Sequence, residues 1–361
     1  MAAPGRPKKL EGKPAALGYR MPAEFEHQHA IWLAWPHNED TFYGHDNVVD
    51  VERIYVQYIS ALYGGQYVNL LVNSKEMHAR AVAKLEQAGI VSSHVKIHEI
   101  PTVDVWFRDY GPTFVVNPAA RYPVAMIKWI FNAWGNKYES LALDNRIPWD
   151  MQAKAIGVPM FEPGIVFEGG SVDVNGQGCV VTTEQCLLNG NRNPGLSRVQ
   201  VENMLKDHLN VQKILWLKEG IAGDDTDGHV DDIARFTDPT TIACAYEDDS
   251  SDENHEPLKE NLDLLLRMTD TSGKPFKIVK LPMPGPVYYK DIRVPASYLN
   301  FYIGNETVVV PLFSHANDAK AIATLQKLFP ARKVVGIECT KLVYGLGTLH
   351  CTSQQQPASK R

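Results

Sequence analysis

The sequence predicts a mixed α/β fold of repeated strand–strand–helix–strand units, on three observations. Short β-rich runs come in pairs parted by turn residues, as at Asn175-Gly176, a dipeptide that favours tight hairpins. Each pair leads into a helix-compatible segment and one further β-rich run. Polar motifs recur just ahead of the pairs. Units of one supersecondary type repeated along a chain argue for radial or solenoid packing rather than one long sheet.

In chain order, residues 30–36 read as a buried strand stopped by Pro36. Residues 48–62 fit a helix, with Val49, Tyr55, Val56, Ile59 and Leu62 in one apolar stripe. A strand at 67–72, a helix at 75–87 ended by Gly89, and a strand at 95–100 follow. Hairpins are expected at 113–116 with 124–127 and at 172–174 with 179–181. The second leads into a helix from the candidate N-cap Ser197 to Leu209, then a strand at 211–217. The pattern returns as hairpin 233–236 with 241–246, helix 257–268 and strand 276–281. It returns again as hairpin 298–303 with 307–312, helix 317–329 and strand 333–337. The unit is clear three times and looser twice before that. The acidic segment 248–256 reads as a solvated loop between strand and helix.

Composition narrows the class. A chain of 361 residues, 44% hydrophobic and 22% charged, is that of a soluble globular protein with a substantial core. A net charge of −6 without a Lys/Arg cluster argues against a nucleic-acid surface and suits a small cationic substrate. It leaves a homo-oligomer open. Five scattered cysteines without a C-x-x-C pair argue against a disulfide framework or zinc site, and point to a reducing cytoplasm. No apolar run approaches membrane-spanning length. Residues 1–18 begin with a Lys-, Pro- and Gly-rich stretch without an apolar core and read as a disordered tail, leaving 19–357 as a single domain.

The densest chemistry lies at 223–232, where His229 sits among five aspartates. Carboxylates packed so closely repel one another unless something cationic lies among them. His229 and Asp231 are two apart, so an extended chain would point both to one face. A solvated acidic turn is the plain alternative, and the residue order of a calcium loop is absent. Other polar motifs stand at equivalent places: Arg108-Asp109 before one hairpin, Glu168 before the next, Asn300 at the start of a fourth, and Cys351 after the last strand. If the units pack in a ring, these ends converge on one mouth.

That set is chemically restrictive. A thiol of ordinary pKa, about 8.5, needs a nearby cation or base to attack at neutral pH. Two carboxylates beside it would raise its pKa further unless a cation lies between them. A guanidinium fits, because its planar fork takes carboxylates bidentately. Held by Asp109 and Asp231, its carbon would face Cys351. His229 would handle protons, with Glu168 orienting or tuning the imidazole. Each residue also has a plainer role: Asp109 as an ion pair with Arg108, Glu168 as a turn cap, and cysteines as core residues, the role assigned to Cys179, Cys186, Cys244 and Cys339. His350 is a rival base, though neighbours along a strand point to opposite faces.

Five segments together carry a family resemblance: 106–112 (Trp106 to Pro112), 131–135, 168–170, 226–231 and 347–351. They resemble the agmatine deiminase family, within the guanidine-modifying enzymes that include the Porphyromonas-type peptidylarginine deiminases. The resemblance implies a five-bladed, pseudo-symmetric α/β propeller of ββαβ units, pentein-like. It implies hydrolysis of a guanidine to a ureido group and ammonia, with no metal or cofactor. Cys351 is then the nucleophile, His229 the general acid/base, Glu168 its partner, and Asp109 and Asp231 the guanidinium clamps. Trp106 and Asn300 join them around the substrate, and Asp224, Asp225 and Asp227 are expected to receive a distal ammonium. The cysteine loop departs from the family's glycine-rich form, with Leu346 between glycines and Thr348 in place of asparagine. The rival readings are a deiminase of free or peptide-linked arginine, for which only Arg108 stands out as a carboxylate partner, and a non-catalytic propeller binding a macromolecule. The latter expects the polar set to be missing.

Overall fold

The computed structural model describes residues 9–359. Within them the β structure divides into five main sheets and one small hairpin. Three sheets share one plan. An antiparallel pair is extended by a strand that returns, after a helix, parallel to the second member. Val172–Val174 and Cys179–Thr183 are joined in this way by Lys213–Leu217 across helix Arg198–Leu209. Ala234–Asp238 and Thr241–Tyr246 are joined by Lys277–Pro282 across helix His255–Leu265. Tyr302–Ile303 and Thr307–Leu312 are joined by Lys333–Glu338 across helix Asp318–Leu328. A parallel neighbour needs a crossover, which is why a helix recurs at this point in each unit.

The two looser units differ for physical reasons. In the sheet of Thr113–Val116 and Val124–Ile127 the third strand, Met160–Phe161, has only two residues, too few for periodicity to register. Its crossover is a 3₁₀ segment, Glu139–Arg146, and short turns rather than one helix. In the other, Gln28–Ala34 pairs antiparallel with Ser353–Pro357 from the far end of the chain and parallel with Tyr67–Val72, which Val95–Glu99 extends. The segment 353–357 carries three glutamines and no alternation, so it was not expected as a strand. It nonetheless brings both ends of the chain into one sheet.

Local signals match the elements they predict. Ser197 caps helix Arg198–Leu209 in a reciprocal capping box with Gln200, a device worth about 1 kcal/mol. Val201, Met204, Leu205, His208 and Leu209 fill the helix's inner face at three- and four-residue spacing. The strand expected from residue 298 begins only at Tyr302, because 297–300 form a buried turn. An exposed hairpin, Val287–Tyr289 with Ile292–Val294, was not expected. Of the segment read as a tail, residues 1–8 lie outside the described residues. Residues 9–18 include a bridge from Lys9 to Met160, a Lys13–Asp207 ion pair and a short 3₁₀ turn, Ala15–Leu17. Among the described residues no helix is long and apolar enough to cross a membrane.

Candidate active site

The loop carrying Cys351 is shaped by packing against Trp106. A Cβ on Gly345 would lie 2.9 Å from the indole, and one on Gly347 would lie 2.6 Å from it and 3.0 Å from Cys351 Cβ. Between them Leu346 holds φ 73°, a conformation normally left to glycine, with its side chain on the cavity wall. Asn300 fixes the rest of the loop. Its Oδ1 accepts from Thr348 Oγ1 at 2.8 Å and from the backbone N–H groups of His350 and Cys351 at 3.0 and 3.2 Å. Its Nδ2 donates to Cys351 Sγ at 3.0 Å. Thr348 thus serves the loop through its hydroxyl.

Cys351 is 6% exposed and opens onto a cavity that also reaches Trp106, Asp109, Trp134, Tyr138 and Asp225. Burial, then the carboxylates of Asp231, Asp232 and Asp109, push its thiol well above the ordinary range. Left to itself this sulfur stays protonated. A cation among those carboxylates would reverse the effect.

His229 lies between two acids, with Nδ1 3.7 Å from Asp109 Oδ1 and Nε2 3.8 Å from Glu168 Oε2. Both ring nitrogens are buried without a hydrogen-bond partner among the described residues. Burial pulls its pKa down, but Asp109, Cys186 and Glu168 outweigh this and hold it well above the usual value. The chain is not extended here. Positive φ at Asp227 and Gly228 leads into the turn Val230–Asp232, so His229 and Asp231 do not share a face by strand alternation. The tight turn is what delivers both to the site. Gly170 lies against the imidazole, where a Cβ would come within 2.5 Å of Nδ1.

Asp109 is buried; Oδ1 accepts from Gly170 N at 3.1 Å and Oδ2 from Trp134 Nε1 at 3.0 Å. Burial raises its pKa to about 6, with Asp231 and Glu168 adding and His229 opposing. It does not pair with Arg108, which turns away to Gln355 and Glu24. Asp231 accepts from His350 Nδ1 at 2.6 Å and from Asn300 Nδ2 at 3.3 Å, both on Oδ2, which lies 3.7 Å from Cys351 Sγ. His350 and Cys351 precede strand Ser353–Pro357 instead of lying in it, so strand alternation does not separate their side chains.

Two further residues carried no signal in the sequence, and a third was expected only as a core residue. Arg192 is buried with Nε on both oxygens of Glu168, and its Nη1 reaches Asp227. It stands in Asn191-Arg192-Asn193-Pro194, a stretch without hydrophobic periodicity or a charge cluster. Glu24, buried between Arg235, Arg108 and His350, stands in an unremarkable N-terminal segment. Cys186 is buried as expected, but with its sulfur within 4.8 Å of ligand atoms of His229 and Glu168. That trio, and Asp231 with Asp232 and Cys351, have the spacing of metal ligands, but both oxygens of Glu168 already accept from Arg192.

The expected ammonium group of aspartates separates. Asp224 accepts from the N–H groups of Thr226, Gly228 and His229 and so builds the turn. Asp227 is paired with Arg192 and Lys137. Asp225 alone of the three lines the cavity, hydrogen-bonded by Tyr138. Among the described residues, the cavity lining includes aspartates 40, 109 and 225 and no lysine or arginine.

Comparison with known proteins identifies the family. The family model described as Porphyromonas-type peptidyl-arginine deiminase matches residues 20–357. The chain is 36% identical to the agmatine deiminase of Medicago truncatula, over 97% of this chain and 99% of that one. It is 35% identical to the agmatine deiminase of Pseudomonas putida, with the same coverage. A solved agmatine deiminase of Enterococcus faecalis superposes with a TM-score of 0.90 at 33% identity, over 98% of this chain and 100% of that one. At 11% identity and a TM-score of 0.53, the amidinotransferase SxtG of Microseira wollei shares the fold alone. The chain belongs to the Porphyromonas-type peptidyl-arginine deiminase family.

Proposed function

We propose that this chain hydrolyses the guanidino group of agmatine, giving N-carbamoylputrescine and ammonia through a covalent intermediate on Cys351. The carrying observation is a cavity that ends at a buried thiol and has acidic but no basic side chains among its described lining residues. A guanidinium with a second cation on a short aliphatic stem matches it. Free arginine brings a carboxylate that this wall would repel.

In this reading Asp109 and Asp231 take the guanidinium N–H groups in charge-assisted hydrogen bonds. The bound cation lowers the thiol pKa, and the thiol proton passes to solvent water in the cavity, from which the released ammonia later takes one up. The thiolate forms a bond to the guanidinium carbon, and the C–N π electrons move to nitrogen. His229, protonated between Asp109 and Glu168, gives its proton to the departing nitrogen as the C–N bond breaks, releasing ammonia. Water then adds to the thiouronium carbon while His229 takes its proton. Collapse breaks the C–S bond, leaving the ureido product and the thiol. Glu168, fixed by Arg192, keeps the imidazole charged and oriented, and Trp106 walls the cavity beside the nucleophile.

The same reading takes 19–357 as one catalytic domain, its five sheets as the blades of a pentein propeller, acting in the cytoplasm without a cofactor. The pairing of both chain ends in one sheet supports the ring. The test is ammonia release from agmatine, arginine and an arginyl peptide by wild type and Cys351→Ala. Agmatine is expected to be preferred and turnover to vanish in the variant. Equal turnover by the variant would remove the covalent route.

A further inference from the structure

Asp231 is buried, yet its two oxygens are treated differently. Oδ2 is crowded by His350, Asn300 and the Cys351 sulfur, whereas Oδ1 has no hydrogen-bond partner among the described residues. An unpartnered carboxylate oxygen in a protein interior is costly unless a ligand completes it. What fixes its direction is the imidazole behind it. His350 Nδ1 meets Asp231 Oδ2 at 2.6 Å, and Nε2 meets Glu24 Oε2 at 2.7 Å. Each of these contacts needs one proton, so the Glu24–His350–Asp231 chain shares two. Glu24 is itself anchored: Oε1 accepts from Ile303 N at 2.8 Å and pairs with Arg235, and Oε2 lies 3.2 Å from Arg108 Nη2. The loop backbone does not need this imidazole, since Asn300 and Arg108 already hold it through main-chain groups on either side of Cys351.

We propose that His350, clamped by Glu24, is the positioning residue that turns Asp231 so that Oδ1 faces the substrate guanidinium. This rests on the guanidine-hydrolase reading above. It extends the substrate clamp inward, from the cavity to a buried ion network joining the N-terminal segment at Glu24, the segment of Arg108, the segment of Asp231 and Arg235, and the C-terminal loop. The charged and titratable groups facing Asp231 are His350, His229, Arg235, Asp232, Cys351 and Asp109. Of these, His350 makes the shortest hydrogen bond to it, at 2.6 Å, against 3.7 Å from the Cys351 sulfur. Without His350, Asp231 keeps Asp232 and Asp109 nearby and would take a proton at higher pH.

The test is calorimetric agmatine binding to full-length Cys351→Ala, with and without His350→Gln, over a pH series. His350→Gln is expected to weaken binding by about ten- to a hundredfold near neutral pH. The deficit should grow as pH falls, since the unsupported carboxyl protonates earlier. His350→Asn, whose shorter amide can place its nitrogen near the position of Nδ1 beside Asp231, serves if the glutamine variant folds poorly and should give a smaller loss of the same sign. Unchanged affinity, or a loss with the same pH dependence as the parent, would overturn the proposal. Because binding is read without turnover, absence of ammonia release by wild type counts against the hydrolase reading, whereas the affinity difference judges His350.

Discussion

Arg192 places Nε 2.7 and 3.0 Å from the two carboxylate oxygens of Glu168, with both side chains almost fully buried. Glu168 is thereby fixed with Oε2 3.8 Å from His229, and the same guanidinium reaches Asp227 at the base of the turn that carries His229. One buried cation thus supports both the imidazole's charge and the turn that carries it. Removing it would strand two acids. Arg192→Ala is expected to lose about 3–5 kcal/mol of stability in urea unfolding. Where it still folds, it should also lose most activity because Glu168 is no longer fixed beside His229. An unchanged unfolding midpoint would contradict the assignment.

In the proposed reaction the thiol and the clamp would work against each other until substrate arrives. Asp109 raises the pKa of Cys351, so Asp109→Asn should alkylate faster with iodoacetamide at neutral pH than wild type. The same variant should hydrolyse agmatine far more slowly, by about 10²-fold or more, because a charge-assisted contact to the guanidinium is gone. Opposite signs in the two assays are the signature; parallel losses would mean the residue only supports the fold.

Asp109 also sets a pH limb. With its carboxyl raised to about 6, kcat/KM should climb as pH passes through that value and the clamp ionises. The stability sign follows from a folded pKa above the unfolded one. The folded chain binds the extra proton between about pH 4 and 6, so stability falls as pH rises through that window. Asp109→Asn should therefore unfold at higher urea than wild type at neutral pH, with the gap closing near pH 4. A bound guanidinium should close the same gap.

Asp225 and Asp227 are neighbours with different predicted effects. Asp225 faces the cavity, so Asp225→Asn should raise KM for agmatine by about tenfold with kcat little changed. An alkylguanidine of equal length lacking the ammonium should show no such difference between wild type and variant. Asp227→Asn removes a partner from Arg192 and Lys137, so its effect should appear in the unfolding midpoint instead. A KM effect from Asp227 alone would reverse the two roles.

What the amino-acid sequence by itself determined was local: turn dipeptides, the Ser197 cap, helix stripes and the β-rich runs, each legible because neighbours along the chain decide it. Through motif resemblance it also named Cys351, His229, Glu168, Asp109, Asp231, Trp106 and Asn300. Only the tertiary structure decided which of these lie within reach of one another, and which unflagged residues hold them. Arg192 sits in an ordinary turn sequence, Glu24 lies more than three hundred residues from its partner His350, and the strand 353–357 has no hydrophobic pattern. Their roles come from burial, which converts weak surface pairings into ion pairs that cannot be broken cheaply. Burial belongs to the packed sheets, not to any stretch of letters.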